Sequence, residues 1–465
     1  MEVDQRKEIG GVEETFIEHL PNEILLMIFR KLTFRQLVQA SAVSHRWNEL
    51  MFYLLKDRVK LRIQGLQFSN TEEWAQNRNY AALTFDAVRF GLPKGFNARW
   101  LEPLAENVKH LRFYCMRAND GALLELLRPF GAVEELLVKA DKLDLSKALS
   151  SYLRLCRGLL PNLRRLTIGC RYVRMMELLK EVAPRLVSLD LELLPRLLTK
   201  FYVCRFENLK SLTLRFPQRQ TKIPNMLSLL RCLQQIKNLR KLGLFVNDGI
   251  SVFRAAFALT SVDDLTLGGT FTVEHFSQIF DDIHRMTNLR SLSIFVRTEQ
   301  FLTVEAALPS LDSLCIGGTI KVNVSILTEK FPNLTLLMLT TRTFDWHEVQ
   351  EIANAWQSTM QHLAIEIRET DQSVIASILT MLKLRKLYLY LNKASENHIA
   401  ALIPVACMAT LEELHILDKD CKQDATLAEL CNCKRSCTIF IGESLIEDVL
   451  ADEISFAKQL CELSL

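Results

Sequence analysis

Three closely spaced thiols, Cys431, Cys433 and Cys437 in CNCKRSC, and a His347-Glu348 pair opening HEVQE come nearest to chemistry by residue type and spacing. Three thiolates could hold zinc, but C-x-C-x3-C is not a zinc spacing and no His or Cys pair lies nearby to complete it. Small thiols packed inside an apolar core account for them better. HEVQE lacks the second histidine with which a zinc-protease helix grips its metal. A cysteine nucleophile built on the Cys431 cluster or on Cys315 would need a neighbour that lowers its pKa, and the sequence offers none. The phosphate-cradling GxxxxGK[ST], a GxGxxG after a strand and the GxSxG elbow are all absent. No catalytic residue, metal site or cofactor is therefore expected, and function must lie in what the chain binds.

Bulk properties narrow the partners. In 465 residues, 57 basic and 54 acidic side chains leave a net charge of +3, which gives no electrostatic case for nucleic acid or a membrane surface. The charged start, MEVDQRKEIGGVEET, carries no apolar signal segment, and no apolar run approaches a membrane span. Twelve irregularly spaced cysteines then read as reduced thiols of the cytoplasm or nucleus, where the sequons at Asn323 and Asn333 are chance matches.

The elements that carry any binding surface follow from one returning phrase. It reads NLRRLTI from Asn162, NLKSLTL from Asn208, NLRKLGL from Asn238, NLRSLSI from Asn288, NLTLLML from Asn333 and KLRKLYL from Lys383, with weaker copies between. Its central aliphatics run from Leu111 to Ile439, 328 residues over 13 intervals, a mean near 25 that falls in the leucine-rich-repeat range. Copies around Leu61 and Leu83 begin the array. In L-x-L the two aliphatics point to one side of a strand and the residue between them to the other. Val349, Ile352, Ala353, Trp356 and Met360, like Val273, Phe276, Phe280 and Ile283, have the spacing of a helix face between strands. One strand and one helix cannot bury their own apolar faces, so the units must stack into a solenoid with parallel strands on its inner side. The asparagine usual three residues after the last aliphatic is matched only by Asn247 and Asn392, so most turns must be satisfied in another way. Loops are expected in the long intervals before Leu166 and Leu242.

Residues between the aliphatics should face the concave side. From Gly243 to Ala364 that row, which includes Thr266, Ser293 and Met338, carries no charge, and Tyr388 follows. Two residues further along their strands, Phe245 and Phe295 should stand exposed beside glycines, with Tyr390 later in the same row. Exposed aromatics over small residues would make a groove for an unidentified protein substrate. The early strands instead place Lys60, Arg62, His110, Arg112, Lys139 and Arg165 on this side, with Asp86 and Glu135 among them, a basic surface that could pair with acidic or phosphorylated segments.

Ahead of the array lies LPNEILLMIFRKLTFRQLVQASAVSHRWNELM, Leu20 to Met51. Its apolar spacing is helical with two interruptions; Pro21 suits a first turn, and Thr33 with Gln36 has the form of a capping box. Three short helices carrying this much apolar surface should dock on something. The order Leu20-Pro21, Glu23-Ile24-Leu25, Ile28-Phe29, Leu32, Leu37, Val43 and Trp47 resembles the F-box motif. The resemblance implies a substrate-recognition subunit of an SCF-type cullin-RING ubiquitin ligase, in which the F-box binds a small adaptor and the repeat holds the protein to be ubiquitinated. Carried over, the adaptor-facing residues are Leu20, Pro21, Ile24, Leu25, Ile28, Leu32, Leu37 and Val43, with Trp47 serving contact or core. An F-box scaffold that binds the adaptor without directing degradation is the alternative.

The expected architecture is α/β: a flexible N-terminus over 1–15, a three-helix F-box over 16–55, a leucine-rich-repeat solenoid over 56–442 and a capping helix over 443–465.

Overall fold

The computed structural model describes residues 17, 20–32, 34–55, 60–64, 80–90, 101–144, 157–170, 175–194, 197–216, 226–246, 250–270, 279, 282–301, 304, 307–368, 370, 372–391, 401–418 and 437–441. The proposed N-terminal stretch 1–15, the capping helix 443–465, Thr33 and most of the Val273–Ile283 face lie outside them, as do residues 145–156 and 217–225 of the two long intervals. The chain divides into two compact units, Met1–Leu163 and Arg164–Leu465.

The first unit opens with three helices, α1 (Asn22–Phe29), α2 (Phe34–Ser41) and α3 (His45–Leu55). Pro21 takes the N-cap position of α1, one residue before the first helical turn, with φ −55° and ψ 150°. Ser44 starts α3, its Oγ accepting from the Trp47 N–H at 3.2 Å, the first-turn donor that a side-chain cap satisfies. Four strands follow: β1 (Lys60–Gln64), β2 (Ala82–Phe90), β3 (His110–Asn119) and β4 (Glu135–Asp144).

The second unit carries β5 (Arg165–Cys170), β6 (Ser188–Leu193), β7 (Ser211–Arg215), β8 (Lys241–Phe245), β9 (Asp264–Gly269) and β10 (Ser291–Phe301). It continues with β11 (Ser313–Lys321), β12 (Leu336–Phe344), β13 (His362–Ile367), β14 (Lys386–Leu391), β15 (Glu413–Asp418) and β16 (Thr438–Ile441). Within each unit neighbouring strands pair in chain order and in parallel.

The expected central aliphatics set this register. Leu61, Leu83, Leu111 and Leu136 are direct partners in the first unit. In the second, Leu166, Leu189, Leu212, Leu242, Leu265, Leu292, Leu314, Leu337, Leu363, Leu387, Leu414 and Ile439 form one continuous row of partners. From Leu83 to Leu414 each is at most 2% exposed. Burying one such side chain contributes about 1.5–3 kcal/mol, which makes this row the main reason the strands share a register.

Helices return the chain between strands and close the core. In Trp346–Trp356 the expected face, Val349, Ile352, Ala353 and Trp356, is wholly buried with Met360. The Trp356 indole N–H donates to the Phe331 carbonyl at 2.9 Å, tying this helix to the preceding repeat. Asp345 and Glu348 form a reciprocal capping box at its start, while His347 stacks on Trp346. The HEVQE residues thus build a helix N-terminus. Among the described residues no three His, Cys, Asp or Glu side chains gather as metal ligands, and no helix is long and apolar enough to cross a membrane.

The turns are satisfied by asparagines at the other end of the strand phrase. Each Asn that opens NLxxLxL donates its amide to a carbonyl of the repeat before: Asn162 to Gly131, Asn208 to Pro184, Asn238 to Glu207, Asn288 to Thr260 and Asn333 to Pro309, at 2.7 to 3.1 Å. Beside them two consecutive backbone N–H groups converge on one carbonyl, as Arg240 and Lys241 do on Lys210 at 2.8 and 2.9 Å. Backbone carbonyls at the turns are thereby paired at each step. Parallel strands built in chain order from one aliphatic phrase per repeat define a leucine-rich-repeat fold.

Candidate functional site

In the first unit the candidate surface is the outer face of α1. Six consecutive apolar residues, Ile24 to Phe29, exceed what one helix face can bury against two short neighbours. Leu25 and Phe29 turn inward at 0% and 1% exposure and join Leu37, Leu50 and Met51 in the domain core. Ile24, Met27 and Ile28 turn outward at 41%, 62% and 39% exposure. Spaced i, i+3 and i+4, they form one stripe on the helix, and Pro21 at its N-cap, also exposed, lies three residues before Ile24.

This sorts the nine sequence candidates. Leu25 and Leu37, grouped above with adaptor-facing residues, are core residues, because the inward face of α1 and α2 is what holds three short helices together. Leu20, Leu32 and Trp47 pack partly buried against the same core. The Trp47 ring, partly buried, meets Phe29 edge-on, centroids 5.0 Å apart. Pro21, Ile24 and Ile28 remain on the surface, as does Val43 at 60% exposure between α2 and α3. Met27 joins them on the surface, and nothing in the unbroken apolar run Ile24 to Phe29 marked it.

Further along this unit, the expected basic surface is partly neutralised. Glu135 lies 3.2 Å from His110 Nδ1 and 3.6 Å from Arg112, and the Lys139 ammonium sits over the Tyr114 ring.

In the second unit the expected groove takes a different form. Phe245 and Phe295 do not stand exposed; they are 6% and 7% exposed and cluster with Cys315, Met338, Ala364 and Tyr388. The glycines beside them are the cause. A Cβ on Gly268 would come 2.3 Å from the Phe245 ring, and one on Gly317 would come 2.7 Å from that of Phe295. The rings therefore lie down across the next strand, in space the glycines vacate. Arg215 covers Phe245 from the other side, its guanidinium 5.4 Å from the ring and held by Asp190 through bonds of 2.9 and 2.7 Å. What remains is a low apolar strip, with Thr266, Ser293 and Tyr390 partly accessible. Burial pushes the Tyr390 phenol up to about 12, with Cys315 and Glu366 adding to the effect, so it stays neutral.

The strip ends in a polar cluster. His415 stacks on Tyr388 with centroids 4.2 Å apart, and both meet Glu413, which Lys386 also pairs at 3.1 Å. Burial holds His415 below its ordinary 6.5 against the pull of Glu413. Burial alone would raise Glu413, but hydrogen bonds from Lys386 and His415 outweigh it and hold the carboxyl below 4.5. Both depressions have one sign: the unfolded chain takes up protons first, so acidification destabilises. Stability should fall from pH 6.5 downward as His415 charges, and again below 4.5. The His415→Gln variant should show a shallower loss of thermal midpoint between pH 7 and 5.

Two buried thiols of this unit are held protonated. Cys204 and Cys232 border a depression of about 660 Å³ between 202–207 and 232–238, and burial pushes both up to about 12. Neither supplies a thiolate at neutral pH. Cys315 has its sulfur 3.3 Å from that of Met338, and Cys431 and Cys433 lie outside the described residues.

A leucine-rich-repeat array behind a three-helix domain with an exposed apolar stripe defines the class. A family model described as F-box-like matches residues 17–59, so these residues form an F-box-like domain. No curated protein matches the chain. Among solved structures it is similar to a leucine-rich-repeat protein of Leptospira interrogans (15% identity, 84% of this chain and 91% of that one, TM-score 0.30). It is also similar to the Rad7–Elc1 complex of yeast (14%, 90% and 92%, 0.37) and to the mouse RP105/MD-1 complex (14%, 85% and 80%, 0.31). The strand register, rather than these distant likenesses, defines the fold.

Proposed function

We propose that this chain is the substrate-recognition subunit of an SCF-type cullin-RING ubiquitin ligase. The observation that carries the reading is the stripe of Ile24, Met27 and Ile28, exposed beside a complete core in a domain that matches the F-box-like model. Apolar side chains arranged on one helix face beside Pro21 suit insertion into an apolar groove of a small adaptor. The adaptor would link to a cullin, and the low apolar strip of the second unit, from Phe245 through Thr266, Ser293, Phe295 and Met338 to Tyr388 and Tyr390, would meet a protein substrate. The chain would contribute proximity, holding a target lysine near a charged conjugating enzyme, and the chemistry would reside in its partners. That role needs no active site, cofactor or metal of its own, and it belongs to the cytoplasm or nucleus.

Affinity purification of the intact chain beside an Ile24→Asp, Ile28→Asp form, with partners identified by mass spectrometry, tests this. Adaptor and cullin should accompany only the intact chain, and proteins common to both forms are substrate candidates. Adaptor without cullin would point instead to a scaffold that does not direct degradation.

A further inference from the structure

The turn that presents the apolar stripe has no cap of its own. Pro21 occupies the N-cap of α1 and offers no side-chain acceptor to the helix. Asn22, one residue on, has the side chain for it but points its Oδ1 elsewhere. That oxygen accepts from Arg46 Nε at 2.9 Å and Nη2 at 2.7 Å, and Nη2 also donates to the Leu20 carbonyl at 2.6 Å. Arg46 stands in the first turn of α3, 26 residues from Leu20. One planar guanidinium thus grips the chain on both sides of Pro21, on the backbone before it and the side chain after it. Only the fork of an arginine offers several donors in fixed relation; a lysine ammonium is a single point on a flexible stem.

We infer that Arg46 is a positioning residue for adaptor docking: it fixes the Leu20–Asn22 turn, and with it the direction of Pro21 and Ile24, before the adaptor arrives. The inference rests on the docking reading above. Without the clamp, α1 would still form, because Leu25 and Phe29 still fill the core, but the Ile24 and Leu25 amides, which donate to the Pro21 carbonyl at 3.1 Å, would open more often. The turn would then sample several directions, and apparent affinity falls by the fraction of time the competent one is populated.

The test uses the full chain and purified SCF adaptor, with Arg46→Lys, Asn22→Ala and the double variant. Calorimetric titration should show binding weakened about tenfold by Arg46→Lys, several-fold by Asn22→Ala, and no further by the pair than by Arg46→Lys alone. In the free variants the Ile24 and Leu25 amides should exchange with solvent faster, while the thermal midpoint stays within a few degrees. Unchanged affinity and exchange in Arg46→Lys would overturn the inference. So would additive losses with unchanged exchange, which mark Arg46 as a direct contact with the adaptor. If the unaltered chain fails to bind at all, the docking reading falls and this role with it, a result distinct from binding that survives the variants.

Discussion

Aspartate at both Ile24 and Ile28 is expected to weaken adaptor binding at least a hundredfold and to leave unfolding of the chain almost unchanged. Both side chains are about two-fifths exposed in the free protein, so a carboxylate at either place stays hydrated and costs the fold little. On docking the same carboxylates would enter an apolar contact without a partner, and stripping water from an unpaired charge costs several kcal/mol. A single hundredfold loss corresponds to about 2.8 kcal/mol, well inside that penalty. The contrast is Leu25→Asp, one residue away and 0% exposed. It should unfold the three helices, abolishing both binding and their helical signal. Titration calorimetry with circular dichroism on the same samples separates the two outcomes. Equal loss of helix in both variants would contradict the assignment of faces.

The second large effect concerns Gly318, within β11 of the second unit. Gly318 has φ +97°, and a Cβ there would lie 1.9 Å from the Val296 carbonyl oxygen of the preceding strand. The obstacle is backbone held in the β10–β11 ladder, which cannot turn aside as a side chain can. Gly318→Ala should therefore destabilise this unit by about 3 kcal/mol or more. Its neighbour provides the control. A Cβ at Gly317 meets the Phe295 ring at 2.7 Å and Thr340 Oγ1 at 3.1 Å, and both are side chains that can rotate. Gly317→Ala should cost less and should raise the exposure of Phe295. Urea unfolding of both variants decides the order; equal losses would contradict this account of the strip.

Much of this architecture was legible because period-2 and period-3.6 patterns act locally. Every expected strand phrase became a strand, since L-x-L places two leucines on one side whatever surrounds them. The sidedness of α1 was not legible, because Ile24 to Phe29 contain no polar residue to mark the outer face. Only packing against Leu37, Leu50 and Met51 decided that Leu25 turns in and Ile24 out. The posture of Phe245 and Phe295 depends on Gly268 and Gly317, which strand register sets beside them from the following repeat. The asparagine ladder was in plain view as the first letter of NLxxLxL, yet its acceptors lie 24 to 31 residues back, beyond any local rule. Arg46 was hidden in the same way, with its acceptors at Leu20 and Asn22.

The central claim, that the F-box-like domain docks a cullin adaptor through the outer face of α1, is tested most directly by mixing the purified full chain with purified SCF adaptor and measuring the mass of the product by light scattering after size exclusion. A one-to-one complex, lost on Ile24→Asp with Ile28→Asp, is the predicted result. Two separate species with the intact chain, or a complex that persists when both residues are aspartate, would contradict it.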